Sequence, residues 1–298
     1  MKKLKFLFSL FFGVILFVSC VPEVDEYGNL LHGVGNGTIP GGSGSGGTGT
    51  GGSGTKVLSK FNTFDDKGAT FSYSFTYSNK QLTKVTTSDN SYASDITYSN
   101  GKISKVISVV HEAGATESTT ITSNVTYDTS GKISKVIATE VLSMNGTVIN
   151  TTDKVSTYVY NSSNQVTKVT QDYSMAGMQT QTGIFDYSYT GNNLSKMVFT
   201  TKMSLGPIPD VVVTTTYSNY DSKISPFSTL GTNYNYFSLS ELGLGFFGSP
   251  NNFTKITVTE SMMGTNTTES ATYTYDSQGY ATSMTVTGEK STFEYIAL

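Results

Sequence analysis

The chain lacks several side chains on which common chemistries depend. It contains no arginine and no tryptophan, a single cysteine, Cys20, and two histidines, His32 and His111. Arginine is the planar, two-pronged donor that suits phosphate, so we expect no nucleic-acid partner. Neither histidine has a second His or Cys at ligand spacing, so no metal site and no cofactor is predicted. With only one cysteine, an internal disulfide is excluded.

Sequence motifs of catalysis are also missing. No phosphate-binding loop or dinucleotide fingerprint occurs, and the glycines cluster in residues 33–55 and in turns. A Ser-His-Asp triad would have to use His111, next to Glu112 in a predicted hairpin tip, where a solvated histidine is the ordinary interpretation. Nothing in the sequence therefore points to an enzyme, although a hydrolase with a pair of carboxylates stays open as an alternative.

Residues 1–19 have the pattern of a secretory signal. Three lysines within residues 1–5 precede an apolar run, 6–18, that is too short for a spanning helix. The run ends in Phe17-Val18-Ser19-Cys20, which resembles a bacterial lipoprotein signal and implies that Cys20 is acylated. We therefore predict an N-terminal acyl anchor in the outer membrane, with the body on the periplasmic or the extracellular face.

The sequence of residues 20–56 predicts a charged stem followed by a flexible tether. Acidic residues follow Cys20, and residues 33–55 are almost entirely Gly, Ser and Thr. Such a segment buries too little apolar surface to fold and behaves as a flexible coil. About 25 such residues give an end-to-end distance of roughly 25–30 Å, enough to hold a domain clear of the lipid headgroups. The folded domain is then predicted over residues 57–298.

One motif recurs through that domain. The stretch ITYSNGKISKV, Ile96–Val106, returns with small changes as FTYSNKQLTKV, VTYDTSGKISKV, YVYNSSNQVTKV and YSYTGNNLSKM. Apolar and hydroxylated residues alternate, as in half-buried strands, around Asn- and Gly-rich hairpin turns. We predict an all-β, up-and-down antiparallel meander of about 15–16 strands, either barrel-like or a strongly curved sheet. No segment shows a helical period.

The lysines of the motif predict an irregularity in each hairpin. Regular pairing across the turns would place the lysines on the apolar face and the following valines in water, which costs far more than a bulge. We therefore predict a β-bulge at Ser104-Lys105 and at the equivalent positions, with inward lysines paired to carboxylates as the alternative. Each turn would then bring a tyrosine opposite an aliphatic residue: Tyr77 and Leu82, Tyr98 and Ile103, Tyr127 and Ile133, Tyr160 and Val166, Tyr189 and Leu194.

The repeat resembles two known groups of proteins. Its Y-x-Y, turn, [IL]-x-K-V unit is similar to the hairpins of YD-repeat proteins, without their arginines. With the lipobox, the tether and an interrupted hairpin at residues 220–227 and 249–256, the chain resembles more closely a family of uncharacterised outer-membrane-type lipoproteins, a domain of unknown function with a porin-like fold. That resemblance implies a fold and a compartment and brings no catalytic residues.

Residues 218–250 form a long insertion where the other hairpins have a tight turn. Residues 233–247 are rich in Phe, Tyr and Leu, which predicts a plug or lid over the aromatic face. The alternative is a ligand pocket, in which aromatic rings stack on a sugar or a hydrophobic group and an acid forms a hydrogen bond. The residues for that pocket would be Asp221, Tyr234, Tyr236, Phe237 and Glu241.

Six methionines fall near the turns at the end of the sheet opposite the Asn-Gly turns: Met144, Met175, Met178, Met203, Met262 and Met263. They predict an adaptable apolar rim for a partner, or else they pack the sheet ends. Our leading hypothesis is a lipid-anchored binding or envelope-accessory module whose partner is a glycan, a peptide or an envelope protein. An accessory subunit docked on an outer-membrane transporter is the alternative: an exposed methionine rim would favour docking, and an open aromatic groove would favour glycan binding.

Overall fold

The computed structural model describes residues 56–64, 70–111, 116–204, 209–241, 248–262 and 264–298. The predicted signal peptide, Cys20 and the tether lie outside these residues. Sixteen antiparallel strands form a closed barrel in which each strand pairs with its neighbours in sequence, and β1 pairs with β16. The all-β meander is confirmed, and it is a barrel rather than an open sheet. The strands are β1 (Lys56–Phe64), β2 (Thr70–Ser78), β3 (Gln81–Thr87), β4 (Tyr92–Ser99), β5 (Lys102–His111), β6 (Glu117–Tyr127), β7 (Ile133–Met144), β8 (Thr147–Tyr160), β9 (Val166–Met175), β10 (Met178–Thr190), β11 (Asn193–Met203), β12 (Val211–Tyr220), β13 (Phe253–Glu260), β14 (Asn266–Tyr275), β15 (Ala281–Val286) and β16 (Glu289–Ala297).

The two ends of the barrel are named by their turns. The near end holds the turns of the repeat, such as Asn100-Gly101, and β1 starts there, since the Lys56 amide donates to the Tyr280 hydroxyl at 3.3 Å. The far end holds the opposite turns, such as Asn145-Gly146. Both of these Asn-Gly pairs have positive φ at both residues, the geometry that matches a two-residue turn to the twist of its strands.

The predicted bulges are present. Tyr98 lies opposite Ile103, but Thr97 lies opposite Lys105, so Ser104 is the extra residue. As a result Val106 is buried in the core and Lys105 stays on the outer face. The outward lysines Lys84 and Lys168 lie 3.2 Å from Asp95 and Asp186. The same shift occurs in the hairpins β2–β3, β6–β7, β8–β9 and β10–β11, with the predicted tyrosine–aliphatic pairs confirmed, so the alternative of inward lysines is wrong for these hairpins.

The bulges also explain why the repeat uses tyrosine rather than phenylalanine. The Tyr98 hydroxyl donates to the carbonyl oxygen of Leu82 at 2.8 Å, and the Tyr127 hydroxyl donates to that of Ile103 at 2.9 Å. Each acceptor directly precedes the extra residue of a bulge, where the backbone ladder is disrupted. In these hairpins the hydroxyl therefore satisfies the carbonyl left by the hairpin before it, whereas Tyr275 of the β14–β15 hairpin donates to the Asp221 carboxylate. The series continues with Tyr77 to Leu58, Tyr160 to Ile133, Tyr189 to Val166, Tyr220 to Leu194 and Tyr295 to Ala281.

The insertion fills the barrel, which confirms the predicted plug. It forms a 3-10 helix, Phe227–Leu230, and an α-helix, α1 (Thr232–Glu241). The core that these elements share with inward-facing aromatics of the wall includes the buried side chains of Phe227, Leu230, Tyr234, Phe237 and Leu239. A round barrel of this many strands would otherwise enclose a lumen wider than its own side chains fill. We call the described residues of this insertion, 222–241 and 248–250, the plug. None of the helices in the described part of the chain is long and apolar enough to cross a bilayer.

The expectation that no segment is helical is therefore wrong for the plug. A helix on a protein surface shows a 3.6-residue period because one face meets water and the other meets the core. Helix α1 is enclosed by the wall, so Tyr234, Phe237 and Leu239 are all buried although they do not form one regular stripe. The helix follows from enclosure, which the local sequence pattern does not report.

Candidate functional site in the barrel interior and at the far rim

The plug meets the wall at a buried cluster of charges. Lys154 Nζ on β8 lies 2.7 Å from Glu241 Oε2, at the last residue of α1, and 3.4 Å from Glu140 Oε1 on β7. The Ser156 hydroxyl donates to Glu241 Oε1 at 2.7 Å. Lys154 is 1% exposed and Glu241 is 4% exposed. We call Lys154, Glu140 and Glu241 the charged cluster; it joins the plug to the wall by an ionic contact.

Polar side chains of the wall surround this cluster. The Tyr173 ring centroid lies 5.9 Å from Lys154 Nζ, and the Tyr173 hydroxyl donates to Gln171 Oε1 at 2.9 Å. Gln171 Nε2 in turn donates to the Ser156 hydroxyl at 3.3 Å. These groups form a hydrogen-bonded network around a buried ammonium, which is the arrangement that a charge in an apolar interior requires.

The environment shifts the protonation equilibria of the cluster. Burial alone would lower the pKa of Lys154, but the adjacent carboxylates of Glu241 and Glu140 raise the pKa above its ordinary value, so the ammonium stays charged. Burial raises the pKa of the Glu140 carboxyl, and Glu241 adds to this effect while Lys154 opposes it. Two carboxyl groups thus share one ammonium, and Glu140 is the one that holds a proton more readily than an ordinary glutamate.

The lumen on the far side of the cluster is more open and acidic. Glu117, Glu260, Glu269 and Glu289 occupy positions in register with inward-facing residues, and all four are partly exposed. Among the lysines of the described strands, Lys154 is the one that is buried. The described part of the plug packs in the near part of the barrel, and partly exposed glutamates face inward toward the far end. No group of three or more His, Asp or Glu side chains within the described ranges could hold a metal ion.

The structure separates the residues of the predicted aromatic pocket. Tyr234 and Phe237 are each 3% exposed, with their ring centroids 6.4 Å apart inside the core. Tyr236 is partly exposed and donates to the Asn164 carbonyl at 2.9 Å at the near end. Glu241 belongs to the charged cluster. Asp221 accepts hydrogen bonds from Tyr275 and from Asn252 at a different part of the wall. No open groove that joins these five residues is formed by the described residues, and a ligand role for them stays a prediction.

The predicted methionine rim lies at the far end. Met178 is 68% exposed, Met262 is 64% exposed and Met144 is 39% exposed, whereas Met175 and Met203 are partly buried. Met263 lies outside the described residues. A role in partner binding stays a prediction for all six, and the exposure of three of them shows that packing of the sheet ends does not use every methionine.

Two further apolar residues of this rim were missed. Val148 is 58% exposed and Ile149 is 53% exposed, next to Met144 on the β7–β8 hairpin and beside the β9–β10 hairpin that carries Met178. The signal that could have found them is a lack of charge, because residues 141–152 and 174–183 contain no charged side chain. We call Met144, Val148, Ile149 and Met178 the apolar rim.

Comparison with known proteins gives a likeness of fold. No protein-family model and no curated protein matches the chain. A solved structure described as a porin-like protein from Bacteroides vulgatus ATCC 8482 matches with a TM-score of 0.53 at 13% identity, covering 82% of this chain and 100% of that one. Another porin-like protein, from Bacteroides uniformis ATCC 8492, matches with a TM-score of 0.44 at 14% identity, covering 81% and 98%. The first of these matches shows that the chain has a porin-like fold.

Proposed function

We propose that this protein is a lipid-anchored accessory module of the outer membrane or the cell surface, which works by binding an envelope protein through its apolar rim. The observation that carries the proposal is the exposure of Met178, Val148 and Ile149 on neighbouring, uncharged hairpin tips. Exposed apolar side chains grouped on adjacent tips are typical of interaction sites, and methionine adapts its shape to a partner.

The outer wall supports a body beside the membrane rather than one that spans it. Many outward positions are hydroxylated or charged, as in Asp95, Thr97, Asp153, Thr157 and Lys168, and the exposed outward residues Ile137 and Val159 are scattered among them. Strands that face lipid carry an outward apolar band instead. The plug fills the near part of the lumen, which supports binding over conduction. The signal sequence and Cys20 supply the anchor in this proposal.

Glycan binding to the insertion has less support than docking at the rim. The rings that would stack on a sugar, Tyr234 and Phe237, are packed in the core. Of the three predicted aromatic contacts, Tyr236 alone is partly exposed, and its hydroxyl is already bonded to Asn164.

The docking proposal is tested by site-specific photo-crosslinking in the native envelope. A photoreactive residue at position 178 or 148 is expected to give one discrete adduct with a membrane protein, while the same residue at Ser163, on an exposed near-end turn, gives none. Met178→Asp combined with crosslinking at 148 should abolish the adduct. Equal labelling from positions 148, 178 and 163, or an adduct that survives Met178→Asp, would show that the rim is not the docking surface. Loss of radiolabelled palmitate in Cys20→Ala tests the anchor separately.

A carboxylate-pair hydrolase is a second candidate, suggested by the spacing of the acids in the charged cluster, although all three of its side chains are buried. Because Glu140 and Glu241 both approach Lys154 Nζ, their nearest oxygens lie within about 6 Å of each other, in the range of glycosidase pairs. The raised pKa of Glu140 is also what a general acid requires. A panel of chromogenic glycosides tests this candidate: turnover that disappears in Glu140→Gln supports it, and no turnover by the folded parent chain rejects it.

A further inference from the structure

We propose that the charged cluster is a site of covalent modification, in which the Lys154 amine condenses with the Glu241 side-chain carboxyl and an isopeptide bond ties α1 to β8. The reaction converts one ammonium and one carboxylate into one amide and one water, so it needs no oxidant, reductant or other co-reactant. The crosslink lies inside the barrel and is independent of the partner that the apolar rim binds. It is incompatible with the carboxylate-pair hydrolase, because an amide at Glu241 removes one acid of that pair.

The two reacting groups are already in contact. Lys154 Nζ lies 2.7 Å from Glu241 Oε2, and these two residues are 1% and 4% exposed. Groups held together in a productive orientation react as if each were present at about 10⁵–10⁸ M, which drives a condensation that dilute solution does not support. Apart from Lys154 Nζ, Glu241 Oε2 has no hydrogen-bond partner among the described residues, so no other donor holds the oxygen that leaves as water.

The other oxygen of the Glu241 carboxyl is held by a buried donor. The Ser156 hydroxyl donates to Glu241 Oε1 at 2.7 Å, and Gln171 Nε2 donates to the Ser156 hydroxyl at 3.3 Å. Ser156 is fully buried, so this donor acts where water is excluded. Negative charge develops on Oε1 when the amine attacks the carboxyl carbon, and a donor that already points at this oxygen stabilises the charge.

Glu140 is placed to carry protons between the reacting groups. Its Oε1 lies 3.4 Å from Lys154 Nζ. Burial raises the pKa of the Glu140 carboxyl, so this group keeps a proton more readily than an ordinary glutamate. Of the three protons on Nζ, one stays in the amide and two leave in the water. Glu140 gives a proton to the departing oxygen and regains one from the nitrogen, so its own protonation is the same before and after the reaction.

Exclusion of water favours the amide over the ion pair. Burial lowers the pKa of Lys154, but the carboxylates of Glu241 and Glu140 raise it above its ordinary value, so the ion pair is the resting form and the neutral amine is a minor one. An ion pair in this position carries a desolvation cost that a neutral amide does not carry. The product also lies where water does not reach it, which protects the new bond from hydrolysis.

A crosslink at this position would give the chain a covalent tie that it cannot make in another way. The chain has one cysteine, Cys20, so an internal disulfide is excluded. A bond between residues 154 and 241 joins the wall to the end of α1 and restricts the unfolded chain over the whole intervening segment, as a disulfide would.

Peptide mapping of the full chain, purified folded and then denatured and digested, tests the crosslink. Because the chain has no arginine, trypsin cuts after lysine alone, and it does not cut after an acylated lysine. We expect a branched product that joins peptide 136–168 to peptide 224–255, lighter by one water than the two peptides together, with fragmentation that places the bond between Lys154 and Glu241. Recovery of the unlinked peptides 136–154 and 224–255 alone would overturn the proposal.

The exposed ion pairs of the outer wall are controls within the same digest. Lys84–Asp95 and Lys168–Asp186 lie at 3.2 Å, but both pairs are solvated. We expect normal cleavage after Lys84 and Lys168. Branched peptides at these pairs as well would show that the condensation occurs during handling, which would also overturn the proposal.

Substitutions test the part played by each group. Glu140→Gln leaves the Lys154–Glu241 pair in place but cannot carry a proton, so formation of the branched product after pulse-labelled synthesis should slow by about 100-fold or more. Asp186→Asn, which removes an exposed carboxylate, should leave the rate unchanged. Formation at the parent rate in Glu140→Gln would refute the role of Glu140.

A double variant checks the assignment of the bond. Lys154→Met combined with Glu241→Leu removes both reacting groups without leaving an unpaired charge between them, so the barrel should fold and give no branched product. Circular dichroism checks that each variant is folded. A branched product of the same two peptides in this folded variant would show that the bond joins other residues.

Discussion

The wall and the plug use similar residues, yet they are specified in different ways. The repeated hairpins of the wall are specified by local features of their own sequences. These are an alternating pattern, a turn with positive φ, a bulge, and a tyrosine whose hydroxyl donates a hydrogen bond to the previous hairpin. The plug has no repeat, and its helix forms inside a space that the wall creates. The wall thus depends on local rules applied many times, whereas the plug depends on a single set of long-range contacts.

This difference assigns separate roles to the two regions. Repeated devices fix register with little dependence on any single residue, so the wall is suited to be a scaffold. The plug is held by a few specific contacts, including a buried ion pair with one carboxylate in excess. The stability of the plug therefore depends on a few particular residues, whereas the register of the wall depends on many equivalent ones.

Removal of the plug should have the largest effect on the stability of the folded barrel. Replacing residues 221–252 by Asn-Gly would join Tyr220 to Phe253, which are already paired, in a hairpin like the others. The wall would lose contact with Phe227, Leu230, Tyr234, Phe237 and Leu239, at about 1.5–3 kcal/mol for each buried side chain. A loss on the order of 10 kcal/mol matches the whole stability of a typical domain, so the closed barrel should not persist.

Urea unfolding followed by circular dichroism, with binding of an apolar dye, measures this loss. A variant that carries a Gly/Ser linker of equal length in place of residues 222–250 is the control, because it keeps the loop length and removes the buried side chains. Cooperative unfolding of both variants at the urea midpoint of the parent chain would show that the wall is stable without the plug, which contradicts the predicted loss of stability.

Replacing one buried leucine in the wall and one in the plug should have an intermediate effect on stability. Leu194 in the wall and Leu239 in the plug are both 0% exposed. Leucine-to-alanine changes at such sites cost about 2–5 kcal/mol. We expect Leu194→Ala to lower the stability of the whole barrel, because it lies in a strand paired on both sides, and Leu239→Ala to act first on the plug.

Hydrogen exchange separates these outcomes. Leu239→Ala should raise exchange over 227–241 with smaller change in wall peptides, and Leu194→Ala should raise exchange throughout. Val148→Ala, at an exposed rim position, is the control and should change stability by less than about 0.5 kcal/mol. Identical exchange patterns in the two leucine variants would mean that the wall and the plug unfold as one unit.

The same contrast explains what could be predicted from the sequence. The strand number, the tyrosine–aliphatic pairs and the bulge at Ser104-Lys105 followed from the alternation and from the cost of turning lysines inward. The plug was predicted from apolar composition alone, and its helix was not predicted because an enclosed helix shows no surface period. Closure of the barrel was also left open, since β1 and β16 meet through pairing that no local pattern encodes.

The candidate site was predictable only in part. Glu241 was selected as a polar residue of the insertion, but Lys154 and Glu140 lie in ordinary strand positions and become notable only when the fold brings them to α1. Lys154 carries a faint signal, because it occupies an inward register where the lysines of the repeated motif face outward. Tyr234 and Phe237 looked like ligand contacts because aromatic composition does not distinguish a plug from a binding surface.

The smallest change in stability is expected when a tyrosine hydroxyl of the wall is removed. Tyr127→Phe leaves the Ile103 carbonyl without its donor and should cost about 1 kcal/mol, whereas Tyr236→Phe, at an exposed bond from the plug, should cost less because water replaces the hydroxyl. Burial raises the pKa of Tyr98 and of Tyr127 to about 12. Their contribution to stability is therefore complete below pH 10 and is lost as the pH rises from 10 to 12. Ultraviolet titration of the phenols checks this. The absorbance change near pH 12 should be smaller in Tyr127→Phe than in the parent chain. If all the phenols of the parent chain titrated near pH 10, the wall tyrosines would be no more protected than free ones.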